Sequence, residues 1–282
     1  MKRLFILAFF IFPSLSVFAV TPSVTIFPET IIQGEPVRVT IENVSGVAEV
    51  KAVSFDGKSV GVFLLEGKVM AFLGIDLNKK PGDYKLLVTL SSGEQLEKTV
   101  SIGAREKISA PLGIPEKLGG NTPQAATNLV STLSQENVVL NSLWTQPKAL
   151  WTGKFTFPLE NPIVTDSYGY TRQTSGYTIT HKGTDFRAPE GTKIFASNRG
   201  VVRLSRTFRN YGKTVVIDHG QGLFTFYMHL SKIKVSEGQL VSAGQLIGLS
   251  GQTGYAEKPH LHFTVRVGGL SIDPMKFMAL FQ

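Results

Sequence analysis

The chain has 282 residues, enough for about two domains. Hydrophobic residues make up 42% and charged ones 18%, with 28 glycines and 14 prolines, which excludes wholesale disorder and favours turn-rich β structure. The formal charge is +8 and there is no cysteine, so disulfides, a lipid-modified N-terminal cysteine and thiolate metal sites are excluded.

In chain order, the first element reads as an export signal over residues 1–19. Lys2 and Arg3 precede an unbroken apolar run from Leu4 to Phe12, and Val17-Phe18-Ala19 fits a small-x-Ala cleavage site. Pro13 interrupts a run already short for a membrane span, and no later segment is long and apolar enough, so no stable membrane insertion is expected after cleavage. Without Lys2 and Arg3, 27 basic residues face 21 acidic ones, a net +6. That balance suits an anionic polymer such as the cell wall, or a simply solvated surface. Basic residues are not clustered with aromatics, which argues against nucleic acid.

Residues 22–103 show period-two alternation with turn signals every ten or so residues. Val37, Val39 and Ile41 alternate with polar neighbours, as do Val60, Val62 and Leu64, and then Tyr84, Leu86 and Val88. This pattern predicts an immunoglobulin-like β-sandwich acting as a spacer or binding domain. Residues 104–150 read as a linker carrying one helix: Thr122-Pro123 looks like an N-cap with proline at the first helical position, and Ala126, Leu129, Val130, Leu133, Leu140 and Trp144 recur at helical spacing. Trp144 and Trp151 are read as packing residues. From residue 151 to 282 β signals return, with strands expected at Gly200-Val201-Val202, Thr214 to Ile217 and Leu223 to Tyr227.

Four of the five histidines lie in this last region in one ordered pattern: His181-x-x-x-Asp185, His229, and His260-Leu261-His262. Neutral imidazoles with a carboxylate suit zinc. Gly183 and Pro189 place the first pair in a loop or strand end rather than on a helix, and the absence of His-Glu-x-x-His leaves no helix-borne glutamate base. In a strand, His260 and His262 look into one cleft while Leu261 faces away, so one can bind metal while the other stands beside a metal-bound water. His219, at Asp218-His219-Gly220, is read as structural.

The segments His181 to Thr192, Val216 to Gly220, Tyr227 to Leu230, and Gly254 through Pro259-His260-Leu261-His262-Phe263 resemble the signatures of the LytM/lysostaphin-type zinc metalloendopeptidases, which cut peptide cross-bridges of peptidoglycan. The resemblance implies a mainly β chain with a C-terminal LytM-type β-sheet catalytic domain. It implies Zn2+ held by His181, Asp185 and His262, with His260 and His229 as catalytic residues. Under that reading His260 is the general base, His229 donates to the developing oxyanion, and which of the two is the principal base stays open. Tyr168 and Arg172 resemble a family element near the cleft. Thr264 and Lys258 depart from the family pattern and are expected to touch no ligand. Val235 to Gly248 resembles the barrel-sandwich motif of lipoyl and biotinyl carriers, which is a clue to fold only. The expected partners are peptidoglycan stem peptides or cross-bridges, with intramolecular occlusion of the cleft by the N-terminal region. The alternative is a non-catalytic wall-binding protein or an activator of another wall hydrolase, which predicts a missing ligand where none is missing.

Overall fold

The computed structural model describes residues 20–281 except Leu112 and Ser175. The expected export signal lies outside the described residues, and among them no helix is long and apolar enough to cross a membrane.

The alternating N-terminal segments fold as two facing sheets. One orders Ser23–Phe27, Pro36–Glu42, Lys68–Gly74 and Val62–Leu65; the other orders Ile31–Ile32, Gln95–Gly103, Gly82–Leu90, Val50–Phe55 and Lys58–Val60. Period two sends Val37, Val39 and Ile41 inward against Leu86, Val88 and Val100. The Lys68–Gly74 strand departs from that alternation because both of its faces are covered. Val69, Ala71 and Leu73 join the sandwich core, whereas Met70 and Phe72 join a second core built by the C-terminal half. There Phe72 lies 6.2 Å from Trp151, 5.9 Å from Phe277 and 5.7 Å from Phe281, ring centre to ring centre. Arg105 adds an ion pair to Asp273 at 3.1 Å across the same joint. The two halves therefore share apolar area, and burying each aromatic contributes about 1.5–3 kcal/mol.

The C-terminal half is built on an antiparallel sheet in the order Val164–Asp166, Thr184–Arg187, His260–Val267, Leu223–Leu230, Lys213–Gly220, Gly200–Thr207 and Leu240–Val241. Leu270–Ile272 also pairs with His260–Val267. One face carries Phe186, Tyr227, Leu261 and Phe263 into the shared core. The other face presents Val216, Phe224, Phe226 and Met228 to the helix α1, Pro123–Asn141, through Leu140. The Thr122 hydroxyl accepts the Ala125 N–H at 3.2 Å, and Pro123 occupies the first turn, as the sequence predicts. The helix stops at Asn141, short of Trp144, which is 60% exposed and stacks under Arg203 at 3.7 Å. Trp151 is buried in the shared core.

A smaller sheet joins Ser109–Pro111, Thr171–Thr174 and Tyr177–Thr180. Tyr177 and Ile179 pack on Ala126 and Leu129 of α1. The segment between the two β regions thus lies against the C-terminal sheet and forms a wall above it.

Candidate metal centre and active-site cleft

Strand register assembles the histidines. Asp185 is the Cα partner of His262, and Arg187 that of His260. On the other side of the same strand Met228 pairs with His262. Because side chains two apart share a face, His260 and His262 point into one cleft while Leu261 is fully buried behind them. His181 follows the Tyr177–Thr180 strand and reaches the same point over Gly183. A Cβ at residue 183 would collide with His262 Nε2 and Thr264 Oγ1, so only glycine lets this backbone pass.

His181, Asp185 and His262 bring one ligand atom each within 4.8 Å of the others. His181 Nε2 is 3.1 Å from Asp185 Oδ1 and 3.0 Å from His262 Nδ1, and His262 Nδ1 is 2.8 Å from the same carboxylate oxygen. The outer contacts fix the tautomers. His181 Nδ1–H donates to the Ser167 carbonyl at 2.9 Å, leaving Nε2 with a lone pair. Thr264 Oγ1 donates to the Lys182 carbonyl at 3.1 Å and accepts His262 Nε2–H at 3.1 Å, leaving Nδ1 with a lone pair. Two lone pairs and a carboxylate oxygen then face one another without a proton between them, an arrangement that calls for a cation. Tetrahedral zinc with bonds of about 2.0–2.1 Å places its donors about 3.4 Å apart, close to the separations seen here. Thr264 corrects the sequence expectation that it touches no ligand: it holds the His262 ring, as outer partners of metal-binding histidines do.

Electrostatics agree with this arrangement. Burial alone would raise the Asp185 carboxyl, but positive charge and N–H donors from His181 and His262 outweigh that effect and hold it well below the usual carboxylate range, a part that a bound cation would take over where the rings are neutral. Burial lowers His262, against the pull of Asp185, and so favours the neutral ring that metal binding requires.

His260 and His229 complete the cluster with ring centres 4.8 Å apart. His260 Nδ1–H donates to the Lys258 carbonyl at 2.8 Å, and its Nε2 lies 3.8 Å from Asp185 Oδ2. His229 reaches the cleft by a backbone device. Tyr227, two residues earlier, points into the core, so simple alternation would send His229 there too. Instead His229 adopts φ +62°, a left-handed conformation rare for a non-glycine residue, and lies 6.0 Å from His262, ring to ring. Its Nδ1–H donates to the Thr253 carbonyl at 2.9 Å. Burial first, then the neighbouring His260 and His262, push its pKa down to about 3. The neutral ring therefore carries its free lone pair on Nε2. In this tautomer Nε2 accepts a hydrogen bond, whereas the donor role expected from the sequence requires a proton on that nitrogen.

The remaining candidates divide. Tyr168 is buried away from the cluster at the joint between the halves, where its hydroxyl donates to the Ser271 carbonyl at 2.7 Å and its ring stacks on Arg105. Arg172 lines the cleft and pairs with Asp166. His219 is fully buried, donating from Nδ1 to the Arg199 carbonyl at 2.9 Å and meeting the Thr225 hydroxyl at 2.8 Å through Nε2. The cleft encloses about 1000 Å³, and α1 forms one wall of it through Leu129, Leu133 and Asn137.

Comparison with known proteins places this architecture. Residues 179–274 match the model of peptidase family M23. A stretch of 96 residues is 50% identical to the peptidoglycan DD-endopeptidase ShyA of Vibrio cholerae, covering 34% of this chain and 22% of the relative, so the chain spans less than a quarter of that protein's length. The crystal structure of a candidate M23 peptidase from Pseudomonas aeruginosa superposes with a TM-score of 0.67 at 29% identity, over 89% of this chain and 96% of the other. The catalytic domain of the prophage-encoded M23 protein EnpA of Enterococcus faecalis, solved as a point mutant, is 30% identical over 95% of its own length and 44% of this chain, with a TM-score of 0.37. Residues 179–274, about a third of the chain, thus carry the match to peptidase family M23.

Proposed function

We propose that the protein is a zinc-dependent endopeptidase of the cell envelope that hydrolyses peptide cross-links of bacterial peptidoglycan. The observation that carries this reading is the convergence of one ligand atom each from His181, Asp185 and His262 within 4.8 Å, beside His229 and His260, whose Nδ1 atoms are both held by backbone carbonyls. The likeness of residues 179–274 to a family that includes peptidoglycan DD-endopeptidases supports the substrate class.

His181, Asp185 and His262 would hold the metal, which when bound supplies Lewis-acid activation of a water and polarises the scissile carbonyl. His260 acts as the proton acceptor for the attacking water: the Lys258 carbonyl holds its Nδ1–H and so presents Nε2 as the basic atom. His229 offers a second acceptor, kept neutral by burial, that orients the water by one of its hydrogen atoms. The proton on His260 then passes to the leaving amine, so the ring ends the cycle as it began. The wall made by α1 limits solvent around the reacting groups.

The test is digestion of purified cross-linked muropeptides with and without chelator, alongside His262→Ala. Zinc-dependent release of un-cross-linked stems, abolished in the variant, is the expected result. Cleavage that survives both treatments overturns the zinc mechanism, and a zinc-loaded wild type inert on every wall type favours an activator of another hydrolase.

A further inference from the structure

Helix α1 precedes residues 179–274, the part of the chain that the family shares. On its buried stripe, in register with Leu129, Leu133 and Leu140, stands Glu136, only 7% exposed. Burying a carboxylate among apolar side chains is costly unless its oxygens are satisfied. Here Oε1 accepts the Asn210 N–H at 2.9 Å and Oε2 accepts the Tyr211 N–H at 3.3 Å. Neighbouring side chains of the same helix hold the same turn: Asn210 Nδ2 donates to Thr132 Oγ1 at 2.7 Å, and the Tyr211 hydroxyl donates to Asn137 Oδ1 at 3.0 Å.

The far side of that turn carries the catalytic histidine. The Tyr211 carbonyl accepts the His229 N–H at 3.1 Å, and the Asn210 carbonyl accepts the Tyr255 N–H at 2.6 Å. Lys213 N–H donates to Thr253 Oγ1 at 2.9 Å, and the Thr253 carbonyl is the acceptor for the His229 ring. Both the backbone and the ring of His229 are thus tied to residues 210–213. A residue at φ +62° keeps that conformation only where its surroundings enforce it.

We propose that Glu136 is a positioning residue for His229: its carboxylate clamps the Asn210–Tyr211 turn, and the turn holds His229 in the left-handed conformation that turns its ring from the core into the cleft. The inference rests on the reading that His229 works on the substrate. It makes α1 part of the catalytic apparatus although the helix lies outside the family domain. A hydrophobic residue at 136 would pack on the stripe equally well but would leave two adjacent buried N–H groups without an acceptor.

The experiment uses the zinc-loaded full-length protein and Glu136→Gln, which keeps the shape but retains one acceptor and sets an amide NH2 against an N–H. The expected result is a kcat lower by roughly 10- to 100-fold at unchanged KM and zinc content, the range expected for a misplaced catalytic group. With it, amide exchange at His229 accelerates about tenfold or more while Val216 in the neighbouring strand keeps its protection. Thr132→Val, which loosens the same turn from another side chain, gives a smaller effect of the same kind and replaces the first variant if that one does not fold. Wild-type kcat with wild-type exchange at His229 overturns the proposal. So does loss of zinc together with uniform loss of protection across the sheet, the mark of a merely structural role. If the wild type cleaves no substrate, the reading of function fails, and the exchange comparison still decides the clamp.

Discussion

Asp185 and His262 are partners on one rung of an antiparallel pair, and their side chains meet at 2.8 Å between Oδ1 and Nδ1. The pairing register, and not a local motif, makes the donor set: a slip of one residue would bring Leu261 to the cleft and bury His262. Thr264 lies two residues further along the same face and accepts His262 Nε2–H, so it fixes which nitrogen faces the metal position.

Thr264→Val is therefore expected to weaken zinc binding by about 10- to 100-fold while leaving the fold intact, the usual effect of losing a partner behind a metal-binding histidine. Competition with a chromophoric chelator measures this directly. An affinity equal to wild type would show that the Thr264 contact does not orient the ring.

His260 and His229 should separate from the three proposed metal ligands, His181, Asp185 and His262, in the same assay. His260→Ala and His229→Ala are expected to bind zinc normally and to lose about 10²- to 10⁴-fold in kcat, the range for a lost acid–base group. Asp185→Asn and His181→Ala lose the metal together with the activity. Zinc loss in His260→Ala would reassign that ring to the donor set.

Part of this site was legible in the sequence: His-x-His on a strand puts both rings on one face, whereas the division of the histidines into metal-binding and catalytic residues came from the family resemblance and not from spacing. The two β regions and the capped helix were legible because period two, period 3.6 and Thr-Pro are local signals. What was missed depends on distant partners. No local rule shows that His229 departs from the alternation that Tyr227 obeys, since the departure comes from φ +62° imposed by residues 210–213 and 253. Glu136 did leave a trace, a carboxylate on an otherwise apolar helical stripe, but its reason lies 74 residues further along the chain. Thr264 looked incidental until Lys182 and His262 met it.

The shared core predicts that the two halves unfold together. Phe63, Met70 and Phe72 from the N-terminal sandwich pack with Trp151, Phe155, Phe277 and Phe281. Calorimetry should show one cooperative transition, and Phe72→Ala should cost about 3–5 kcal/mol. Two independent transitions, with the later one unaffected by Phe72→Ala, would show that the halves are joined only by the chain.

Stability should also fall in mild acid through His219. Burial pushes its pKa from 6.5 down to about 4, against smaller raising effects from the Arg199 carbonyl and Asp218. The unfolded chain takes up a proton at this residue as pH drops below 6.5, while the folded chain refuses it until about pH 4. The contribution is thus complete above pH 6.5 and drains away as pH falls toward 4, amounting to roughly 3 kcal/mol at 1.36 kcal/mol per pKa unit. His219→Gln can still donate to the Arg199 carbonyl and accept from Thr225 but cannot titrate. Denaturant midpoints between about pH 7 and pH 4.5 should fall more steeply for the wild type than for this variant. The comparison cancels acid effects at the proposed metal site, which both proteins share, so parallel curves would mean that His219 is not the residue that limits acid stability.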